Sequence, residues 1–356
     1  MTVTWPTAGA APTGRGLIRC TPEDFVVREQ LGFAPDGSGE HAFLHLEKRG
    51  LNTADLAQRI SEISGVPLRD IGFSGMKDRN AVTSQWLSVG LAGQPEPDWL
   101  QLEIKGDVRV LEATRHGRKL RRGVHRANSF CLTLRQLQAD RVELEQRLAG
   151  VRSGGVPNYF GEQRFGLGGS TLAQARQWAA RSNSGRGGRK ISRNRRSLYL
   201  SALRSLLFNR LLAQRVEEAT WNTILPGDVC SLQGTRSRFA CEQPDADITA
   251  RASAGDLHPA LPLWGRGEAL QGDARQRAQA PVLAEEEGVC AFLEQAGLSL
   301  DYRPARALPD DFCWEFCDDD SLQLTFSLGA GSYATAVLAQ ILEYSQGDFA
   351  FGDGSE

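Results

Sequence analysis

Apolar positions in the first part of the chain recur mostly with a period of two. Phe25-Val26-Val27-Arg28-Glu29 reads as a strand, and a second runs from His41 to Lys48 behind a turn at Gly37, Gly39 and Glu40. The period then lengthens to that of a helix, with Leu56, Ala57, Ile60 and Ile63 on one side and Asn52-Thr53 placed to cap it. Before the first strand, Thr21 suits a cap and Pro22 a first helical position. Thr83 to Val89 is strand-like. Leu102 to Leu111 and Ser129 to Leu134 alternate as further strands, joined by Arg115 to Arg126 as a loop or ribbon, and Leu137 to Leu148 predicts a helix. Strands mixed with helices in this order give an α+β signature.

Val151-Arg152-Ser153-Gly154-Gly155-Val156-Pro157 interrupts the periodicity and marks a domain border. Beyond it, helices are predicted over Thr171–Ala180 and Ser197–Ala219, the second with Leu203, Leu206, Leu207 and Leu211 as its apolar face. A short strand at Asp228–Leu232 and a helix over Ala284–Ala296 follow in a loop-rich stretch. Strand periodicity returns at Phe312–Phe316 and Leu322–Leu328, then a helix over Ala334–Tyr344. The tail has the texture of the opening, so the middle reads as an inserted domain with the tail completing the first sheet. A tandem arrangement is the alternative.

The length of 356 residues and a hydrophobic content of 41% suit two to three domains with substantial cores. No apolar run approaches the roughly 18 residues of a membrane span, and Met1 to Pro6 lacks signal-peptide character, so a cytoplasmic protein is expected. Seven cysteines are scattered without C-x-x-C spacing, which predicts free thiols rather than a disulfide framework or zinc site.

A net charge of -2 would argue against a polyanionic partner, but its distribution reverses that reading. Gln163 to Val216 contains no acid and twelve basic residues, among them Arg164, Arg181, Arg186, Arg189, Lys190, Arg193, Arg195 and Arg196. Ala113 to Ala139 is also free of acids and holds Arg115, Arg118, Lys119, Arg121, Arg122, Arg126 and Arg135. Arginine dominates both, and its planar fork suits phosphate oxygens. Asp310, Asp311, Glu315 and Asp318 to Asp320 supply the balancing charge. A nucleic-acid partner is therefore expected. Asn158-Tyr159-Phe160-Gly161-Glu162-Gln163-Arg164 interleaves aromatic, amide and basic groups as RNA-contacting surfaces do, although its rings equally suit a core, with Gln163 and Arg164 then exposed.

The chain lacks a G-x-S-x-G elbow and the Rossmann and Walker fingerprints, and its histidines do not form a convincing metal set, so neither metal nor cofactor is expected. What stands out is Gly75-Met76-Lys77-Asp78-Arg79, a glycine-bearing loop with one carboxylate between two cations. Neighbouring cations favour the ionised acid, which suits Asp78 to nucleophilic or basic work. A loop aspartate satisfied by a salt bridge would look the same.

The sequence resembles the TruD family of bacterial tRNA pseudouridine synthases. The likeness is carried by Pro22-Glu23-Asp24-Phe25-Val26-Val27, by Gly39-Glu40-His41 with Lys48 and Asn52-Thr53, and by Gly75-Met76-Lys77-Asp78-Arg79 through Ala81-Val82-Thr83 to Gln85-Trp86. It continues through Asn128-Ser129-Phe130, Pro157 to Gly166, the Leu200-Ser201-Ala202 to Phe208-Asn209 segment, and Gly331-Ser332-Tyr333-Ala334-Thr335. These blocks follow family order through nearly the whole chain.

The resemblance implies the pseudouridine synthase catalytic fold, a mixed and mainly antiparallel sheet with flanking helices, interrupted by an inserted α/β TRUD domain. The implied parts are 1–152 and 307–356 for the catalytic domain and 153–306 for the insertion, the two lobes forming a cleft. Asp78 corresponds to the family's catalytic aspartate, with Arg19 its basic partner and Lys77 beside it. Phe25, Asn128, Phe130 and Tyr333 match positions lining the nucleotide pocket, Tyr333 standing where a close relative would carry Phe. Ser170 follows Gly168-Gly169 where relatives commonly carry Asn, so it receives no role. The implied reaction converts uridine 13, in the dihydrouridine arm of tRNA, to pseudouridine without a cofactor. Asp78 attack at C1', attack at C6 and proton abstraction at C2' all stay open. Arg79, Arg118, Lys119, Arg121, Arg122, Arg164, Arg186, Arg189, Lys190 and Arg193 are expected to hold the tRNA backbone, with salt-sensitive affinity. The expected protein is a monomer without a membrane or obligate protein partner. A pseudouridine synthase with another RNA target and a binding-only tRNA chaperone are the alternatives.

Overall fold

A computed structural model describes residues 4–183, 191–318 and 320–347. Its first elements are β1 (Arg15–Ile18), β2 (Phe25–Leu31), β3 (His41–Arg49), α1 (Thr53–Ser64), β4 (Ile71–Phe73), β5 (Val82–Gly90), β6 (Val108–His116), β7 (His125–Gln138) and α2 (Arg141–Gly154). The middle of the chain supplies β8 (Val156–Pro157), α3 (Ser170–Asn183), α4 (Arg193–Glu217), β9 (Asp228–Leu232), β10 (Arg238–Cys241), α5 (Ala246–Ser253) and β11 (Leu257–Leu263). Then come α6 (Asp273–Ala284), α7 (Glu287–Gln295), β12 (Asp301–Pro304), β13 (Arg306–Ala307), β14 (Asp310–Asp318), β15 (Ser321–Gly329), α8 (Ala334–Ile341) and β16 (Glu343–Gln346).

The described residues group into two compact units. The sheet unit comprises 13–148, 309–331 and 342–347, and the helical unit 4–12, 149–308 and 332–341. In the sheet unit, ten strands form one sheet with the central order β14-β15-β7-β2-β5-β3-β6, β1 pairing with β7 and β16 and β4 with β5. The β2–β5 and β1–β16 pairings are parallel and the others antiparallel. Alternation in β3 and β5 turns Leu44, Leu46 and Leu87 to one side, where Leu56, Ala57 and Ile60 of α1 cover them. Gly65 ends α1 in the left-handed conformation at φ 69°, where a side chain would be strained.

In the helical unit, α4 is buried on two sides. Leu203, Leu206 and Leu207 pack with residues of α3 and α7, while Phe208, Leu211 and Leu212 join Trp221 and Leu261. The order β10-β9-β11-β12 forms a second, antiparallel sheet, and β8 pairs with β13. The tail strands β14 and β15 extend the large sheet, whereas α8 and Tyr333 belong to the helical unit.

Several predicted elements are displaced. Residues 102–107 are not strand: Trp99 and Leu102, at turn spacing, sit in a 3-10 turn (Trp99–Glu103) packed on the α1 core, and β6 begins at Val108. The ribbon at 115–126 shrinks because β6 runs to His116 and β7 starts at His125. Leu137 remains in β7, and α2 starts only after Asp140, whose carboxylate accepts the Glu143 amide at 2.8 Å. The helix predicted over Ala284–Ala296 is α7, starting at Glu287, and a separate helix α6 with Pro281 inside it precedes it in a stretch expected to be loop-rich. Tyr344 is not helical, since β16 is drawn into parallel pairing with β1.

Candidate active site

The residue register of the large sheet assembles the site. Phe25 lies opposite Leu132, Val27 opposite Phe130 and Glu29 opposite Asn128, while Phe130 and Asn128 face Phe326 and Leu328 on β15. Alternation therefore places Phe25, Glu29, Phe130 and Asn128 on one face of the sheet. Val27 pairs with Thr83, and Lys48 and Leu46 pair with Thr83 and Gln85, so the polar strip continues on that face toward the α1 core. Phe25 meets Phe130 edge-on at 6.5 Å between ring centres, and Phe130 stacks on Phe326 at 5.3 Å.

The loop between β4 and β5 is pinned to this strip. The Lys77 amide donates to Thr53 Oγ1 at 2.9 Å, and Thr53 Oγ1 donates to Gln85 Oε1 at 2.8 Å. Lys77 Nζ donates to Glu29 Oε2 at 2.5 Å, both side chains buried, while Glu29 Oε1 accepts the Trp86 amide at 3.2 Å. Lys48 Nζ donates to the Asp78 carbonyl at 2.8 Å, and the Ser74 carbonyl accepts the Gly123 amide at 2.7 Å. With Lys77 tied to the sheet, the next side chain turns to another partner: Arg19 Nη2 donates to Asp78 Oδ2 at 2.8 Å. The Asp78 side chain keeps 26% exposure and Arg19 15%.

Arg19 arrives there through an unusual backbone. Its φ of 57° lies in the left-handed region, which costs a non-glycine residue on the order of 1 kcal/mol. Its guanidinium lies 3.9 Å from the centre of the Phe25 ring and also donates to Gln346 Oε1 at 3.3 Å. The cation paired with Asp78 therefore comes from a distant segment. Lys77, expected beside the carboxylate, is turned to Glu29, and Arg79 is exposed with Nε donating to the Gly50 carbonyl at 3.3 Å.

Burial shapes the titration of this strip. Lys48, 1% exposed, is pushed down to about 8 by desolvation, with Asp78 opposing the shift and Lys77 adding to it. Burial and then Lys77 hold the His125 imidazole below its usual value, against Glu29. Arg19 Nε, Ser74 Oγ, Thr83 Oγ1, Gln85 Nε2, His125 Nδ1 and Asn128 Oδ1 are buried without a hydrogen-bond partner among the described residues. Buried polar atoms are normally satisfied, so such a set on the sheet face and loop that carry Asp78 suits a surface that completes its bonding with a ligand.

The sequence-predicted residues thus divide. Asp78, Arg19, Lys77, Phe25, Asn128 and Phe130 gather in the sheet unit. Tyr333 lies in the helical unit, where its hydroxyl accepts from Arg164 Nη2 at 2.6 Å and its ring lies 6.0 Å from that of Phe160. Arg164, expected to be exposed, is half-buried and also donates to Ser201 Oγ at 2.9 Å. Most of its block is internal: Asn158, Tyr159 and Phe165 are buried, and the Asn209 side chain bonds both backbone groups of Phe160. Arg118, Arg121, Arg122 and Arg193 are exposed, and Lys119 donates to the Arg69 carbonyl. Arg186, Arg189 and Lys190 lie outside the described residues.

Glu29, Lys48 and His125 received no role from sequence reasoning, and Thr53 only that of a helix cap. Two of them left a signal: Glu29 continues the inward set Phe25 and Val27, and Lys48 continues Leu44 and Leu46. A charge on the buried register of a strand needs a partner. Among the described residues, no group of three or more His, Cys, Asp or Glu side chains could hold a metal ion, and no helix is long and apolar enough to cross a membrane.

The fold that carries this arginine-paired carboxylate is shared with the crystal structure of a Methanosarcina mazei protein assigned to tRNA pseudouridine synthase D. That match has a TM-score of 0.66 at 19% identity and covers 96% of both chains. The family model for tRNA pseudouridine synthase D (TruD) matches residues 7–173 and 172–341. The chain is 46% identical over 339 residues to the tRNA pseudouridine synthase D of Methylococcus capsulatus, covering 95% of this chain and 94% of the relative. It is 44% identical over 335 residues to that of Nitrosococcus oceani, covering 94% and 92%. The chain belongs to the tRNA pseudouridine synthase D family.

Proposed function

We propose that this protein is an isomerase that converts uridine 13 of tRNA to pseudouridine, with Asp78 as the reacting carboxylate. The observation that carries this reading is the arrangement at Asp78: a partly exposed carboxylate, held by Arg19 at 2.8 Å, beside Phe25, Phe130 and Asn128 on one sheet face. In the reaction the N1–C1' bond of uridine breaks and a C5–C1' bond forms. The C5 proton is lost and N1 ends protonated, so every heavy atom is retained and no cofactor enters. Asp78 acts on the extruded nucleoside, Arg19 orients its carboxylate, and Lys77 fixes the loop rather than reaching the substrate. Phe25 and Phe130, both buried, form an apolar wall under Arg19 and beside Phe326, and Asn128 offers an unsatisfied amide oxygen or, with the amide turned, a donor to the edge of the uracil.

Exposed Arg118, Arg121 and Arg122 in one unit and Arg193 in the other suit phosphate contacts that position the RNA without reading its sequence. Segments 1–152 and 307–356 act as the catalytic part and 153–306 as the inserted part, with Tyr333 and Arg164 bonded to each other in the helical unit.

The test uses total tRNA carrying tritium at uracil C5, with product position mapped. Wild type should release tritium and place pseudouridine at position 13, while Asp78→Asn should bind tRNA and release it roughly a thousandfold more slowly or not at all. Equal release by Asp78→Asn would remove this carboxylate from the chemistry, and product at another position would assign a different RNA target.

A further inference from the structure

We infer that Met76 is an apolar wedge that enters the RNA stack as the target uridine leaves it. The inference rests on the active-site reading above and adds a residue to it. Met76 is 62% exposed, two positions before Asp78 in the pinned loop. Single exposed apolar side chains are ordinary, so exposure alone carries nothing. Three further facts give it meaning.

The first is rigidity at the base. The Lys77 amide and ammonium are both bonded into the sheet, at 2.9 Å to Thr53 and 2.5 Å to Glu29, and the Ser74 carbonyl is bonded to the Gly123 amide at 2.7 Å. The backbone on either side of Met76 is thus held, and its side chain is presented on a fixed support. The second is direction. Lys77 points into the sheet and Asp78 to Arg19, which leaves Met76 as the exposed apolar side chain of the loop, followed by exposed Arg79 and Asn80.

The third is the company it keeps. The bond to Gly123 joins the loop to the basic ribbon, where Arg121, Arg122 and Val124 are exposed, and Arg79 is exposed on the loop itself. Cations for the backbone next to a projecting apolar side chain fit a strand whose bases are being separated.

Extruding a nucleoside costs its stacking and leaves a gap that water fills poorly. A slender, polarisable thioether slides between bases and recovers part of that loss. Its effect falls on the substrate's conformation, so the requirement for it should vanish where the stack is already broken.

The experiment is single-turnover tritium release from two transcripts of the same tRNA, one intact and one with an abasic nucleotide beside the target uridine. On the intact transcript Met76→Ala should be roughly tenfold slower than wild type, and Met76→Leu close to wild type. On the abasic transcript the two proteins should agree within about twofold. In the Asp78→Asn background, 2-aminopurine beside the target should brighten on binding, and Met76→Ala should suppress that rise. Unchanged turnover of Met76→Ala on the intact transcript overturns the wedge, as does equal slowing on both. Asp78→Asn alone separates the two readings: if it is inactive while Met76→Ala matches wild type, only the wedge falls.

Discussion

Two buried ion pairs, one in each unit, are built to different ends. In the helical unit Arg215 and Asp228, with side chains 4% and 0% exposed, are saturated. Arg215 bonds both oxygens of Asp228 and the carbonyls of Thr220 and Thr223, and Asp228 also accepts the Leu225 amide at 2.8 Å, closing the turn from α4 to β9. In the sheet unit Lys77 and Glu29 are as deeply buried, but the same unit carries buried polar side-chain atoms of Arg19, Ser74, Thr83, Gln85, His125 and Asn128 that have no partner among the described residues. The histidines repeat the contrast. His258 Nδ1 accepts from Arg306 Nε at 2.9 Å, so Nε2 carries the proton toward Gln233 Oε1 at 2.8 Å, whereas buried His125 Nδ1 has no partner. Saturation of the Arg215–Asp228 pair holds the fold, and the unsatisfied atoms at the candidate site suit groups kept ready for a ligand. Tyr159, Arg204, Gln271 and Arg275 of the helical unit also carry a buried polar atom without a partner among the described residues, away from any such carboxylate strip.

The sharpest way to break this comparison is Arg215→Met. It strands Asp228, and loss of one member of a buried pair costs about 3–5 kcal/mol, read as a lower urea midpoint. A cost below about 1 kcal/mol would show that this pair does not hold the turn.

The pH dependence of stability gives the next largest effect. Burial first and Arg306 second push His258 down to about 4 in the folded protein, from about 6.5. Between these values the unfolded chain holds more protons, so stability is fully present above about 6.5 and is lost as pH falls toward about 4. The loss amounts to about 3 kcal/mol. His258→Gln should flatten that part of the profile in denaturant titrations, and an unchanged slope would exclude His258 as its source.

A double substitution sharpens the contrast from the other side. Glu29→Leu with Lys77→Met removes both charges together, so stability should recover to within about 2 kcal/mol of wild type. Tritium release should still fall roughly tenfold, because the loop loses its fixed support and a small displacement of a reacting group is costly. Full activity in the double variant would make the pair purely structural.

The strands β2, β3 and β5 and helix α1 were legible within about two residues, because their alternation or helical period is strong and one face of each is buried. The start of β6 and the ends of α2, α6, α7 and α8 were not. The start of β6 and the end of α8 depend on non-local events, Trp99 and Leu102 packing on α1 and β16 pairing with β1, while α2 starts where Asp140 accepts the Glu143 amide. Asp78 was visible as the odd carboxylate in a glycine-bearing loop. Its neighbours in the loop gave no guide to its cation, since Lys77 is drawn to Glu29, 48 positions earlier in the chain, whereas the family motif pointed to Arg19, which pairs with it.

The sequence by itself determined the periodic elements, the two acid-free basic stretches and, through its motifs, the family. These are properties of local order along the chain, and local order survives without coordinates. Only the tertiary structure decided that Lys77 and Lys48 are buried supports, that Arg164 bonds Tyr333 and that Met76 projects. The physical reason is that a side chain's role is set by whichever charge, ring or solvent the fold brings beside it.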